Sequence, residues 1–320
     1  MSKVPVTEFL ASVGWQAATR NRLAGDASSR RYERLDQKDQ TAILMIDPSI
    51  PTVEKFLVVT DLLKKRGYSP PDILAQDPEN GLLLLEDFGQ RLFVDLIGVE
   101  VTEEDLYSLA VDFLIDLRKQ SIPIGLPVFS QSYVLDQNSM FLDWFIPEKT
   151  GQQSQTDARL FYQRIWKELL GFLENEQEVM LLRDFHAENI LQLEGRLGVK
   201  ALGLLDYQDA MTGPAAYDMV SLLQDARRDV PAALEAKMIT RYVSQAGLDE
   251  KAFRRGYHIL GAHRALRIMG IFTRLAKRDG KTKYLAFMPR MEAYLRRNLA
   301  FPDLIALKHW VGITLGHSYI

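Results

Sequence analysis

The chain has 320 residues, with 39 basic and 42 acidic side chains and a formal charge of −3. That balance excludes bulk nucleic-acid binding, which needs a basic stripe, yet leaves room for a local pocket that takes a small anion. It contains no cysteine, which excludes a disulfide scaffold, a thiolate metal centre, a cysteine nucleophile and an iron–sulfur cluster.

Residues 1–15 mix Lys3, Glu8 and Ser12 with Val4, Phe9 and Leu10 and hold no apolar h-region. The longest leucine run, 82–85, is far below the ~20 residues that cross a bilayer. The expectation is a cytoplasmic protein with neither membrane nor nucleic-acid partners. Residues 6–16 have the spacing of an amphipathic helix that buries Phe9, Leu10, Val13 and Trp15. Residues 21–35 read as strand, polar turn, strand, with Gly25, Asp26, Ser28 and Ser29 in the turn. A third strand covers 41–46, broken by Pro48 and Pro51, and a helix covers 53–66, stopped by Gly67. Strands at 73–76 and 82–86 flank a turn at 77–81. After Gly89 the texture turns helical, at 106–118, 157–174, 217–226, 232–245, 250–278 and 284–299, with one strand–loop–strand island at 179–205. The pattern predicts an α+β chain with two lobes. Residues 1–89 form a small antiparallel β-sheet lobe with one helix, and residues 90–320 a larger, mainly helical lobe. A cleft is expected where they meet.

The chemistry concentrates in Leu182-Arg183-Asp184-Phe185-His186-Ala187-Glu188-Asn189, followed by Leu204-Leu205-Asp206-Tyr207-Gln208-Asp209. In phosphoryl transfer one aspartate can take the proton of an attacking hydroxyl. An asparagine five residues on, with a second carboxylate, can hold Mg²⁺ against nucleotide phosphates. Asp206 ends an apolar run 22 residues past Asp184, a distance that suits a hairpin. The alternative from turn chemistry alone is that Asp184 and Asn189 are turn residues and Asp206 caps a strand.

Together with Gly213-Pro214-Ala-Ala-Tyr217-Asp218, these strings resemble the aminoglycoside phosphotransferase and choline kinase branch of the protein-kinase-like superfamily. The resemblance implies the bilobal protein-kinase-like fold, with ATP and Mg²⁺ as cofactors. It implies Asp184 as catalytic base, Asn189 and Asp206 as metal ligands, and His186 and Asp218 as supports of the loop. Asp87-Phe88-Gly89 spells a kinase metal-binding triplet but precedes Asp184 by 97 residues, so it fits the hinge that meets an adenine ring. Gly280-Lys281-Thr282 ends like a P-loop, but Leu275 stands where the earlier glycine belongs. Candidate ATP contacts are Gly25, Ser28, Ser29, Arg31, Glu86 and Phe88, with Arg30 a further source of charge.

The third strand carries Met45 where the kinase pattern has a lysine. Gly25-Asp-Ala-Ser-Ser-Arg-Arg-Tyr32, Ile43-Leu-Met-Ile-Asp-Pro48, Asp206-Tyr-Gln-Asp-Ala210 and Gly270-Ile-Phe-Thr-Arg-Leu-Ala-Lys-Arg-Asp-Gly-Lys281 narrow the resemblance. They look like the bacterial N-acetylmuramate/N-acetylglucosamine anomeric kinases of cell-wall recycling, in which methionine is a family trait. That resemblance implies an amino sugar as small-molecule acceptor, with Asp209, His263 and Arg267 as candidate contacts. His263 and Arg267 lie four apart, so they share a helix face; salt bridges within the helical lobe are the competing account. Trp144 either stacks on a sugar or belongs to the core. Two other functions fit the same fold: a kinase of an aminoglycoside or choline-like hydroxyl, for which the acidic run 100–105 is a candidate, and a nucleotide-binding pseudokinase.

Overall fold

In the computed structural model, which describes residues 6–23, 30–99, 101–174, 176 and 178–320, the predicted N-terminal strands form one antiparallel sheet. Its strands are β1 (Thr19–Arg22), β2 (Arg31–Gln37), β3 (Gln40–Ile46), β4 (Ile73–Asp77) and β5 (Leu82–Glu86), in the spatial order β1-β2-β3-β5-β4. Side chains alternate across a strand. One face therefore gathers Leu35, Ala42, Leu44, Leu82 and Leu84 around Phe9 and Leu10 of α1 (Val6–Ser12). The helix is shorter than its periodicity suggests, because Gly14 takes the left-handed φ of +80° and turns the chain back. Met45 sits on the opposite sheet face, fully buried, with Tyr32 and Leu83 as its cross-strand neighbours.

The next helix, α2 (Ile50–Lys65), starts earlier than expected. Pro51 does not break it but occupies its first turn, where a missing N–H is harmless. Val53, Phe56, Val59 and Leu63 form its buried side, and Glu54 is exposed. Gly81 (φ +73°) brings β5 against the end of β3: a Cβ there would lie 1.9 Å from the Asp47 carbonyl oxygen. No other residue fits that approach.

A short helix, α3 (Phe93–Leu96), precedes α4 (Glu103–Lys119). Then follow α5 (Gln131–Met140), a π-helical turn (Phe141–Phe145), α6 (Ile146–Thr150) and α7 (Thr156–Gly171). The island expected at 179–205 resolves into β6 (Glu178–Leu181), β7 (Ile190–Gln192) and β8 (Leu202–Leu204). After it come β9 (Met211–Pro214), α8 (Ala216–Leu223), α9 (Ala232–Ala246), α10 (Glu250–Asp279), α11 (Met288–Leu299) and α12 (Ile305–Leu315). Antiparallel pairing joins β7 to β8 and β6 to β9. Gly213 and Pro214 end β9, and the helix expected at 217–226 follows directly as α8. A Cβ on Gly213 would approach Phe129 Cβ at 2.6 Å, so only glycine lets β9 lie there. Gly280 is the left-handed cap of α10, which accounts for the Gly-Lys-Thr string without a phosphate.

The chain divides into two compact units, Met1–Leu109 with Glu188–Asp209, and Ala110–Ala187 with Ala210–Ile320. No helix among the described residues is long and apolar enough to cross a membrane.

Candidate active site

In the second unit, β6 ends at Leu181 and the chain turns sharply. Arg183 takes a left-handed φ of +70°, and the Asp184 N–H returns to the Leu182 carbonyl at 2.9 Å. A non-glycine residue holds this conformation only when its surroundings over-determine it. Here they do. Asp218, buried in the first turn of α8, accepts the N–H groups of Leu182 (2.6 Å) and Arg183 (2.8 Å). Ser221, one turn on, donates its hydroxyl to the Arg183 carbonyl at 2.8 Å. Burial pushes the Asp218 carboxyl up to about 6 against the pull of those two bonds. A raised carboxyl favours folding below the ordinary carboxylate range and loses that contribution as pH rises through about 6. Asp218→Asn therefore gains stability relative to the parent between pH 4 and 6, and thermal melts across that window check the sign. Asp218→Ala strands one buried and one part-buried N–H at about 1–3 kcal/mol each, so chemical denaturation is expected to show a loss of about 2–6 kcal/mol.

The loop presents Asp184 half-exposed to three arginines. Arg264 of α10 lies 4.0 Å from its Oδ1. Burial acts to raise the Asp184 carboxyl, but Arg264, Arg267 and Arg183 outweigh it and hold the group below its ordinary value. Phe185 stacks on Phe113 of α4, with ring centroids 5.3 Å apart. His186 is buried, which pushes its pKa down, and its Nε2 lies 3.3 Å from Arg227 Nη1. A neutral imidazole accepting from Arg227 supports the loop and leaves the carboxylate as the group placed to take a proton.

Asn189 and Asp206 lie in the first unit, at one end of the β7–β8 hairpin. Ile190 pairs with Leu204, and the Leu205 N–H donates to the Asn189 carbonyl at 3.0 Å, so the two candidate ligands flank the same rung. Asp206 is exposed and left-handed (φ +55°). Tyr207 anchors it: the ring stacks on Phe56 of α2 at 5.1 Å, and the hydroxyl meets the Thr60 hydroxyl at 2.7 Å. A carboxylate and an amide oxygen held at one hairpin end fit Mg²⁺, which takes one or two protein ligands and fills the rest from phosphates and water. Among the described residues no cluster of three His, Cys, Asp or Glu side chains forms.

Beside Asp206 lies a group that the strand pattern did not single out. Arg30 is buried; its Nε donates to Asp47 at 2.9 Å, and its Nη1 donates to Tyr32 (3.1 Å) and Gln208 (3.0 Å). Gln208 Nε2 in turn donates to Asp206 Oδ1 at 2.9 Å, and Arg30 Nη1 stands 3.6 Å from the same oxygen. The signal was present in the two-residue alternation. Arg30 and Tyr32 share a face, and Tyr32 pairs with Met45, so the guanidinium lies on the face where the methionine replaces a lysine. Arg31 is exposed on the other face.

The remaining sequence candidates are dispersed. Gly25, Ser28 and Ser29 lie outside the described residues. Glu86 Oε1 accepts from Arg196 at 2.5 Å, and the Arg196 guanidinium covers the Phe88 ring at 5.6 Å. The intervening Asp87 is held by Arg34 at 2.8 Å, a structural pairing. Asp209 belongs to the first unit and pairs with Lys55 at 3.7 Å. His263 and Arg267 belong to the second. His263 is fully buried, with its Nδ1 2.8 Å from Asn138 Oδ1; burial, then Arg267 and Arg264, push its pKa well down. Arg267 is half-buried on α10, with its Nε donating to Gln137 of α5 at 2.8 Å. Trp144 is half-buried in the π-helical turn, and Glu103, Glu104 and Asp105 make up the acidic first turn of α4.

Residues 19–257 match the family described as "Phosphotransferase enzyme family". Over 94% of this chain and 93% of its own length, an N-acetylmuramate/N-acetylglucosamine kinase from Caulobacter vibrioides is 34% identical. Another from Pseudomonas aeruginosa is 31% identical over 94% of this chain and 90% of its own. Among solved structures, choline kinase LicA from Streptococcus pneumoniae superposes with a TM-score of 0.65 at 12% identity, covering 91% of this chain and 97% of LicA. The streptomycin–ATP–APH(2")-IIa ternary complex does so at 0.60 and 16%, covering 91% and 99%. At these identities the structural likeness establishes the α+β, protein-kinase-like fold.

Proposed function

The chain belongs to the phosphotransferase enzyme family, and from that premise we propose that it transfers the γ-phosphoryl group of ATP to the anomeric hydroxyl of N-acetylmuramate or N-acetylglucosamine. The observation that carries this reading is the near full-length likeness to kinases of those two sugars. The charge around Asp184 supports it, because Arg183, Arg264 and Arg267 repel a polycationic aminoglycoside and suit a neutral or acidic sugar.

Asp184 accepts the proton of the attacking hydroxyl and orients its oxygen. Its lowered pKa keeps it ionised at neutral pH. Asn189 and Asp206 would hold Mg²⁺, which supplies charge neutralisation for the phosphate oxygens. Arg30 takes the place of the third-strand lysine, its positive charge held on the same sheet face and tied to Asp206 through Gln208. Residues 1–89 are the nucleotide lobe, with Gly25, Ser28, Ser29, Glu86 and Phe88 as candidate nucleotide contacts, and residues 90–320 carry the catalytic loop. Arg267 contacts the acceptor, Asp209 is a separate acceptor candidate in the first unit, and His263 is fully buried. The product serves cell-wall recycling in the cytoplasm, where ATP is supplied.

Coupled ADP release across a panel of amino sugars, aminoglycosides and choline, with phosphorus NMR of the product, tests the reading. Phosphorylation at the anomeric oxygen of an amino sugar is the expected result. ADP release with choline or an aminoglycoside but no amino sugar would overturn it, and nucleotide binding without transfer to any acceptor would identify a pseudokinase.

A further inference from the structure

Arg264, Arg267 and Arg274 lie along α10 at spacings of three and seven, so they rise on one side of the helix. α5 lies opposite. Its Tyr133 ring holds the Arg183 guanidinium at 5.6 Å, its Gln137 accepts from Arg267 Nε, and its Met140 sulfur meets Arg274 Nη1 at 3.5 Å. The lowest of the three arginines stands beside Asp184. Neither of the upper two makes a close ion pair among the described residues; Arg267 acts on Asp184, and Arg274 on Asp279, only through space. Beyond the bond to Gln137, neither Nη of Arg267 has a hydrogen-bond or ion-pair partner among the described residues. Arg274 Nε is buried without any partner.

A half-buried guanidinium whose Nη pair makes no ion pair has donor capacity that a ligand anion can take up. Gln137 fixes the plane of Arg267 through Nε, and this leaves the Nη pair as a preset fork. A fork of that shape matches a carboxylate with two parallel hydrogen bonds. N-acetylmuramate differs from N-acetylglucosamine by a lactyl ether at O3, which ends in a carboxylate on the same ring whose C1 hydroxyl reacts. An anchor one helical turn from the arginine beside Asp184 suits that arrangement.

We propose that Arg267, oriented by Gln137 and backed by Arg274, is a carboxylate subsite that makes the enzyme prefer acid-bearing amino sugars over neutral ones. This rests on the amino-sugar reading above and deepens it. Arg267 also contributes to the field at Asp184, so removing it is expected to slow both sugars, and the discriminating quantity is the ratio between them.

The experiment measures kcat/KM for N-acetylmuramate, its methyl ester and N-acetylglucosamine with the parent protein, Arg267→Met, Arg267→Lys and Gln137→Leu. The parent is expected to favour the free acid over both its ester and the neutral sugar. Arg267→Met is expected to lower the acid-to-neutral ratio about 10- to 100-fold, as loss of one charge-assisted bidentate contact does. Arg267→Lys should keep part of the preference, and Gln137→Leu should weaken it without removing a charge. A parent that treats acid and ester alike, or a ratio that Arg267→Met leaves unmoved, overturns the subsite. Calorimetry with the ADP-bound protein reads the subsite without turnover. If N-acetylmuramate binds more tightly than N-acetylglucosamine but neither is phosphorylated, the transfer reading fails while the subsite stands; equal binding of both sugars sinks the subsite alone.

Discussion

Asp184→Asn is expected to lower kcat by about 10²–10⁴-fold, the usual contribution of a positioned general base, while the fold and ADP affinity stay at parental values. The substitution is close to isosteric. The turn that presents the residue is held by Asp218, Ser221 and the Arg183 backbone, none of which depends on the Asp184 charge. Asparagine cannot take a proton, so the loss should fall on kcat more than on the KM for ATP. The pH profile carries independent information. A base must be ionised to act, and the arginines hold Asp184 below the ordinary carboxylate value. The acid limb of kcat/KM in the parent should therefore fall below the ordinary aspartate range. In Arg264→Met it should move upward, because a cation that favours the ionised form is gone. Parental turnover in purified Asp184→Asn would remove this residue from the mechanism.

Arg30→Met is expected to lower kcat/KM for ATP by about 10²–10³-fold, the scale on which electrostatic donors to a transferring group act. It should also destabilise the fold by about 3–5 kcal/mol, because Asp47 is left buried and charged without its partner. The two effects separate in Arg30→Met/Asp47→Asn, where the stranded charge is gone. Stability should recover there and activity should not. A second pairing is more direct. Met45 shares the sheet face with Arg30, so Arg30→Met/Met45→Lys returns a cation to that face from the next strand. Titration of ADP binding against Mg²⁺ should show weakened coupling in the single variant and partial recovery in this double. If Arg30→Met binds Mg²⁺-ADP as the parent does, once corrected for the unfolded fraction, the guanidinium has no part in holding the nucleotide.

The segment proposed as the catalytic loop is legible as a local string. Asp184, His186 and Asn189 fall within one short segment, and Asp206 follows an apolar run whose strand character is plain. Long periodic helices such as α10 were legible almost to their caps, with Asp249 and Gly280 as start and stop. The rest depends on pairing across distance. Arg30 and Arg31 are chemically alike, and only the register with β3 decides which one is buried. α5 has little amphipathic patterning, so its place was invisible until Val134 and Asn138 were seen buried. β9 exists because Gly213 tolerates Phe129 at close range, a condition set by a residue more than eighty positions away. Gln137, the partner that orients Arg267, lies 130 residues from it in sequence.

Asn189 lies five positions past Asp184, yet the boundary between the two compact units falls inside that interval. The first unit is thus discontinuous in the chain: its sheet is complete by Glu86, but the hairpin that carries Asp206 is not made until residues 188–209. During synthesis at about 5–20 residues per second, the nascent sheet must wait on the order of 10 s for that hairpin. Throughout that interval the surface that receives Tyr207, formed by Phe56 and Thr60 on α2, is without its cover. An apolar face exposed early and covered late is where a ribosome-associated chaperone would engage, and where a chain truncated before residue 188 would aggregate.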